Sequence, residues 1–183
     1  MEDTKKDLKK GKSGVVALTG VCDERRMNMI IDNCYERMLE GENGVIIVTD
    51  RDLREVVAMF IYKHMRYKFG YEDISLEDVK NRENLEEDKN SIISGVVEDF
   101  IQDKDMGKVA VMGNGKVYVE NIEEYLNYVK ENRFDIDWMG VTDVESLYKG
   151  EEGETLNVYM VLEMISFMYG EEGITVIVGK RGV

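Results

Sequence analysis

The stretch VVALTGVCDERRMNMII (Val15–Ile31) decides how the rest of the chain is read. Five apolar or small residues, Val15–Thr19, suit a strand buried on both faces. Gly20 closes the run, and Asp23 is placed to cap a helix. Met27, Ile30, Ile31, Cys34, Tyr35 and Met38 then recur at three- and four-residue steps, one face of a helix that Gly41 ends. A strand, a glycine turn and a helix are the layout that holds phosphate on backbone N–H groups at a helix N-terminus. The residues that usually complete such a site are missing here.

Working outward, the pattern repeats. Val45–Val48 is a second buried strand closed by Thr49 and Asp50, and Leu53, Val56, Val57, Phe60 and His64 line a helix that stops near Gly70. The polar middle, Tyr71–Asn90, predicts a loop and a short helix, followed by a longer helix over Leu85–Ile101. Val109–Met112 is a third strand with a glycine turn at Gly113–Gly115, and Ile122, Tyr125, Leu126 and Val129 mark another helix. A fourth strand ends at Asp143, and a loop holds the acidic KGEEGE. A helix over Leu156–Tyr169, apolar on nearly every side, leads to a last strand, Ile174–Gly179. Short apolar strands alternating with helices predict an α/β fold with a parallel sheet covered on both faces. Residues 1–13 read as a flexible basic tail and 14–183 as one domain.

Composition narrows the function. The chain of 183 residues carries 38 acidic and 24 basic side chains, a formal charge of −14, which opposes broad nucleic-acid binding. Lys5, Lys6, Lys9, Lys10 and Lys12 form a local exception, read as a solvated tail. No apolar run approaches the roughly 18 residues of a membrane span, and the charged N-terminus lacks the apolar stretch of a signal peptide. Cys22 and Cys34 are too few for a disulfide framework or a zinc site, so a cytoplasmic protein is expected. His64, the only histidine, reads as a packed or half-exposed helix residue, since no nucleophile stands at a sensible spacing. The methionine-rich YMVLEMISFMYG reads as core, with a partner face as the alternative.

Taken in order, these pieces resemble the ATPase domain of the RecA-like superfamily, and within it the hexameric replicative DNA helicases. GVIIVTDRDLREVV resembles the family's second strand, water-activating acid and helix. YVKENRFDIDWMGVTDVESLYKG resembles the helix, strand and metal-associated aspartate, and GITVIVGKRG the sensor strand. The resemblance covers about residues 14–182 and implies a three-layer α/β/α sandwich with a mostly parallel sheet of five or more strands. It implies that Asp50 falls on the water-activating position, Asp143 on the metal-associated position and Lys180 on the sensor position.

The phosphate loop departs from that family. G-x-x-x-x-G-K-[ST] uses glycines for backbone approach, lysine for charge and a hydroxyl for magnesium. Laid from Gly20, this chain supplies Gly20, Arg25, Arg26 and Met27, so only the first glycine matches. Arg25 would fill the site, Arg26 cannot give lysine's compact contact, and Met27 cannot ligate magnesium. The GKS at Gly11–Ser13 precedes the strand instead of following it. The expectation is therefore a non-catalytic chain without a cofactor, with Asp50 as a helix cap and Asp143 as a loop-capping carboxylate. The alternative is an ATP–magnesium site rebuilt on Arg25 and Arg26, with Asp143 as the metal candidate. A protein partner or self-association is expected, without strong nucleic-acid or membrane binding. Only Lys180–Val183 follow the sensor strand, so unwinding is not expected, and Val15–Thr19 should lie at a sheet edge that a partner or the lysine tail covers.

Overall fold

The computed structural model describes residues 15–20, 22–113, 116–149, 154–155, 169 and 172–181. The basic tail, the centre of KGEEGE and nearly all of the predicted 156–169 helix, with its methionines, lie outside the described residues. The chain runs β1 (Val15–Gly20), α1 (Asp23–Leu39), β2 (Gly44–Val48), α2 (Leu53–His64) and a π-helical turn at Met65–Phe69. Next come α3 (Leu76–Lys80), α4 (Glu87–Gln102), β3 (Val109–Gly113), α5 (Val119–Asn132) and β4 (Trp138–Val141). The short pair β5 (Tyr148–Lys149) and β6 (Glu154–Thr155) forms an antiparallel ladder, and β7 (Thr175–Arg181) completes the main sheet.

That sheet has the order β1-β7-β4-β2-β3, and every pairing in it is parallel. Period-two alternation along its strands builds two cores. Val45, Ile47, Met139, Val141, Val176 and Val178 meet Ile122, Leu126 and Val129 of α5 on one face. Ile46, Val48, Trp138 and Ile177 meet Met27, Ile30, Cys34 and Met38 of α1 and Val56 and Phe60 of α2 on the other. The result is the expected three-layer α/β/α sandwich. Gly44 sits where any Cβ would fall about 2.0 Å from the Trp138 ring, so the largest core side chain is seated on a bare backbone position.

One helix carries more than its sequence stripe suggests. Besides its sheet-facing side, α2 turns Ala58, Ile61 and, just past its end, Met65 toward Ile74, Val79, Ile93 and Val96, forming a third cluster with α3 and α4. Gly70, at φ +66, ends the π-helical turn in the left-handed conformation. None of the helices among the described residues is long and apolar enough to cross a membrane.

β1 corrects one expectation. It stands at the end of the sheet, the edge position expected for it, pairing with β7 alone among the described residues. It is not buried on both faces: Ala17 and Thr19 are exposed, and Val16 and Leu18 are only half-buried. An edge strand has a neighbour on one side only, so an apolar run alone could not locate it in the interior.

Candidate functional site

The site expected from the sequence lies at the carboxyl ends of the strands, where open α/β sheets take their ligands. At the β1–α1 junction only Val21 and Cys22 separate strand from helix. Cys22, not Asp23, is the N-cap residue, and the Arg26 N–H already donates to the Cys22 carbonyl within the helix. Asp23, freed from capping, accepts from the guanidinium of Arg26 on one oxygen and from Arg51 at 2.9 Å on the other. Arg25 is exposed, Met27 is sealed in the core and Arg26 is buried at 4% exposure, with no hydrogen-bond partner for its Nε among the described residues.

The ends of β2 and β4 are stitched together by two threonines. The Thr49 N–H donates to Thr142 Oγ1 at 3.0 Å, Thr49 Oγ1 donates to the Asp143 carbonyl at 2.6 Å, and the Asp143 N–H donates to Thr49 Oγ1 at 3.0 Å. This exchange carries the β2–β4 pairing beyond the ladder and sets Asp50 and Asp143 at the tip of the sheet. Thr142 Oγ1 also donates to Asp50 Oδ1 at 2.8 Å, and Arg51 grips both Asp50 oxygens, at 3.2 and 2.9 Å. Burial presses the Asp50 carboxyl upward, but hydrogen bonds from Arg51 and Thr142, with the charges of Arg51 and Arg26, hold it below the ordinary carboxylate range. The helix cap is therefore not Asp50: Asp52 accepts from the Arg54 N–H at the start of α2.

Asp143 is buried at 1% exposure and does cap a turn, its Oδ1 accepting from the Glu145 N–H at 3.1 Å. Its Oδ2 accepts from Ser146 Oγ at 2.8 Å and from Arg181 Nε at 2.8 Å. Arg181 reaches it because β7 lies flush against the end of β4, where a Cβ on Gly179 would stand about 2.0 Å from the Thr142 carbonyl oxygen. Gly20 pairs with Arg181 in the β1–β7 register, and Lys180 pairs with Thr19. The fold thus brings Gly20, Arg26, Asp50 and Asp143 to one end of the sheet and leaves Arg25 facing solvent.

Sequence reasoning missed Thr49, Thr142, Arg51 and Arg181. A signal for the first pair was present: Val-Thr-Asp ends both strands, at Val48–Asp50 and again at Val141–Asp143. Among the described residues, no cluster of three or more His, Cys, Asp or Glu side chains is arranged to hold a metal ion.

A second polar cluster lies between helices. His64, which the sequence left either packed or half-exposed, is fully buried. Its Nδ1 lies 2.7 Å from the Tyr35 hydroxyl on α1, and its Nε2 lies 2.7 Å from Asp99 Oδ2 on α4. The Asp99 carboxylate can only accept, so Nε2 donates to it, and in the neutral ring Nδ1 then accepts a hydrogen bond from the phenol. Burial, reinforced by Tyr67, Asp103 and Asp99, raises the Tyr35 hydroxyl well above its usual range, which keeps it a donor. Lys68 closes the cluster on Asp99 at 2.7 Å and on Asp103 at 3.0 Å. With Tyr35 and His64 both sealed, the cluster ties α1, α2 and α4 together, and only its Asp99 and Lys68 end reaches solvent.

The sheet order, with β7 between β1 and β4 and helices on both faces, is that of a RecA-like α/β fold. The chain is similar in structure to a DnaB-like replicative helicase solved in a study of its interactions with primase. The TM-score is 0.64 over 93% of this chain at 10% sequence identity, a likeness of fold. This chain spans 38% of that helicase chain. Neither a protein-family model nor a curated protein sequence matches it.

Proposed function

We infer that this chain is a non-catalytic RecA-like protein that acts through protein contacts, in the setting of DNA replication or recombination. One observation carries the reading: both strand-end carboxylates hold the chain's own guanidinium groups, Asp50 on Arg51 and Asp143 on Arg181. A carboxylate so paired already has its charge compensated within the chain, and displacing an arginine to serve a metal costs its ion pair. The sequence after β1 supports the same reading, because cradling a phosphate takes several backbone N–H groups in a glycine-rich loop, and no glycine follows Gly20 before Gly41. Arg26 is committed to Asp23, and Met27 offers no oxygen to magnesium. ATP with magnesium does not fit these residues, and no catalytic step is assigned to them. The helicase that this fold resembles was solved in a study of its contacts with primase, and partner binding is the part of that behaviour assigned here. The charge of −14 argues against nucleic acid as the primary partner.

Titration calorimetry with ATP and magnesium tests the reading. No binding tighter than about 100 µM, near −5.5 kcal/mol, is expected. Tighter binding, or phosphate release that Asp143→Asn abolishes, overturns it in favour of a rebuilt site on Arg25 and Arg26.

A further inference from the structure

The sheet's second edge carries a feature that the sequence did not announce. β3 pairs with β2 and with no other strand among the described residues, leaving its outer backbone groups unladdered. Beside it opens a groove of about 450 Å³, floored by Val109 and Val111 and walled by Val57 of α2 and Val97 and Ile101 of α4. Two of these walls are unusually bare, Ile101 at 63% exposure and Val57 at 39%. The charged residues lining the groove are Arg54, Lys80, Arg82 and Arg133, and no acid among the described residues lines it.

In a chain with 38 acidic and 24 basic side chains, that is a marked local reversal. Arg54 and Lys80 have carboxylate neighbours, Asp52 and Glu77. Arg82 instead donates to the neutral oxygens of Asn90 and Ser94. Neither Arg82 nor Arg133 has a carboxylate within ion-pair reach among the described residues. Positive charge thus rims an apolar slot that runs along an open strand edge.

We propose that this edge binds an extended, acidic segment of a partner protein, which adds a strand to β3, places alternate apolar side chains in the groove and sets its acids against Arg82 and Arg133. An open edge supplies main-chain hydrogen bonds and an adjoining slot selects alternate side chains, the usual division of labour in strand addition. A symmetric β3–β3 pairing of two copies is disfavoured, because it would bring like-charged rims together. The proposal rests on the contact-protein reading only for the existence of a partner. ATP binding would overturn that reading and leave this one standing.

The test uses the full chain and fluorescein-labelled, end-blocked nonapeptides that alternate Glu with Val or Ile, at about 150 mM salt. Matched peptides carry Lys in place of Glu. The acidic peptides are expected to raise anisotropy saturably and to slow amide exchange across Val109–Gly113, while the lysine peptides do neither. The double variant Arg82→Glu/Arg133→Glu should weaken binding about tenfold or more, with Arg66→Glu outside the groove as the neutral control. Ile101→Asp tests the apolar wall at an exposed site and should weaken binding without loss of folding. The proposal is overturned if the β3 amides stay unchanged, or if lysine and acidic peptides bind alike. A labelled single-stranded oligonucleotide that binds and is lost in the double variant overturns it in favour of nucleic acid. Light scattering that shows self-association, lost in the same variant, overturns it in favour of a second copy.

Discussion

The two polar networks use overlapping side-chain chemistry at different depths of the fold. One joins Tyr35, His64, Asp99 and Lys68 between helices, and the other joins Asp23, Asp50, Arg51, Thr142, Asp143 and Arg181 at the tip of the sheet. By position alone the second should be functional, since ligands of open α/β sheets bind there. By partners the two are alike, because each carboxylate already meets a cation or a donor of the same chain. Location on a fold therefore nominates a site, and the local account of charge and hydrogen bonds decides what the site can still bind.

Breaking the helical network should cost the most. His64→Ala removes a sealed side chain and strands the Tyr35 hydroxyl, and a loss of about 3 kcal/mol is expected in urea unfolding. Tyr35→Phe, which loses one hydrogen bond but keeps the ring, should cost about 1 kcal/mol. If His64→Ala cost less than Tyr35→Phe, the histidine would not be the centre of that network.

At the sheet tip, Thr142→Val should cost about 2 kcal/mol, because the Thr49 N–H loses its acceptor and Asp50 loses a donor. A cycle with Thr49→Val should show coupling of about 1 kcal/mol. Additive effects would mean that the two threonines act separately.

Acid unfolding sharpens the comparison. Asp50 and Asp99 are both held below the ordinary carboxylate range, Asp99 first by Lys68 and then by His64. A depressed folded pKa gives stability that is complete above the unfolded value, near 3.9, and is lost as pH falls through the folded one. Stability should therefore decline below about pH 4, and Asp50→Asn should flatten that decline more than Asp99→Asn, since the Asp99 side chain is the more exposed. Equal acid limbs in Asp50→Asn and the parent would remove Asp50 from the account.

The smallest effect belongs to a pair on the surface. Lys63 and Asp32 link α2 to α1 at 2.9 Å with both side chains partly exposed, and a double-mutant cycle should give no more than about 0.5 kcal/mol.

Much of the architecture was legible because its signals are local. The stripe from Met27 to Met38 announces α1 over a few turns, and Val45–Val48 announces a buried strand in four residues. The replacements at Arg25, Arg26 and Met27 were equally plain, since a phosphate loop is contiguous in sequence. The roles of the acids were only half legible. Asp143 caps a turn three residues long, a local event, whereas Asp50 gave up capping to Asp52 because Thr142, 92 positions away, supplies it with a donor.

Periodicity and turn chemistry act within a few turns of chain, so they determined the α/β class and the alternation of strands and helices. Strand order determined the rest. Once β4 lies between β2 and β7, the two Val-Thr-Asp ends become neighbours and Arg181 comes within reach of Asp143. The same order puts β1 and β3 at the edges, exposing Ala17 and Thr19 at one and opening the basic-rimmed groove at the other. Those contacts join residues some tens of positions apart, and a side chain carries no local mark of a partner that only the sheet brings to it.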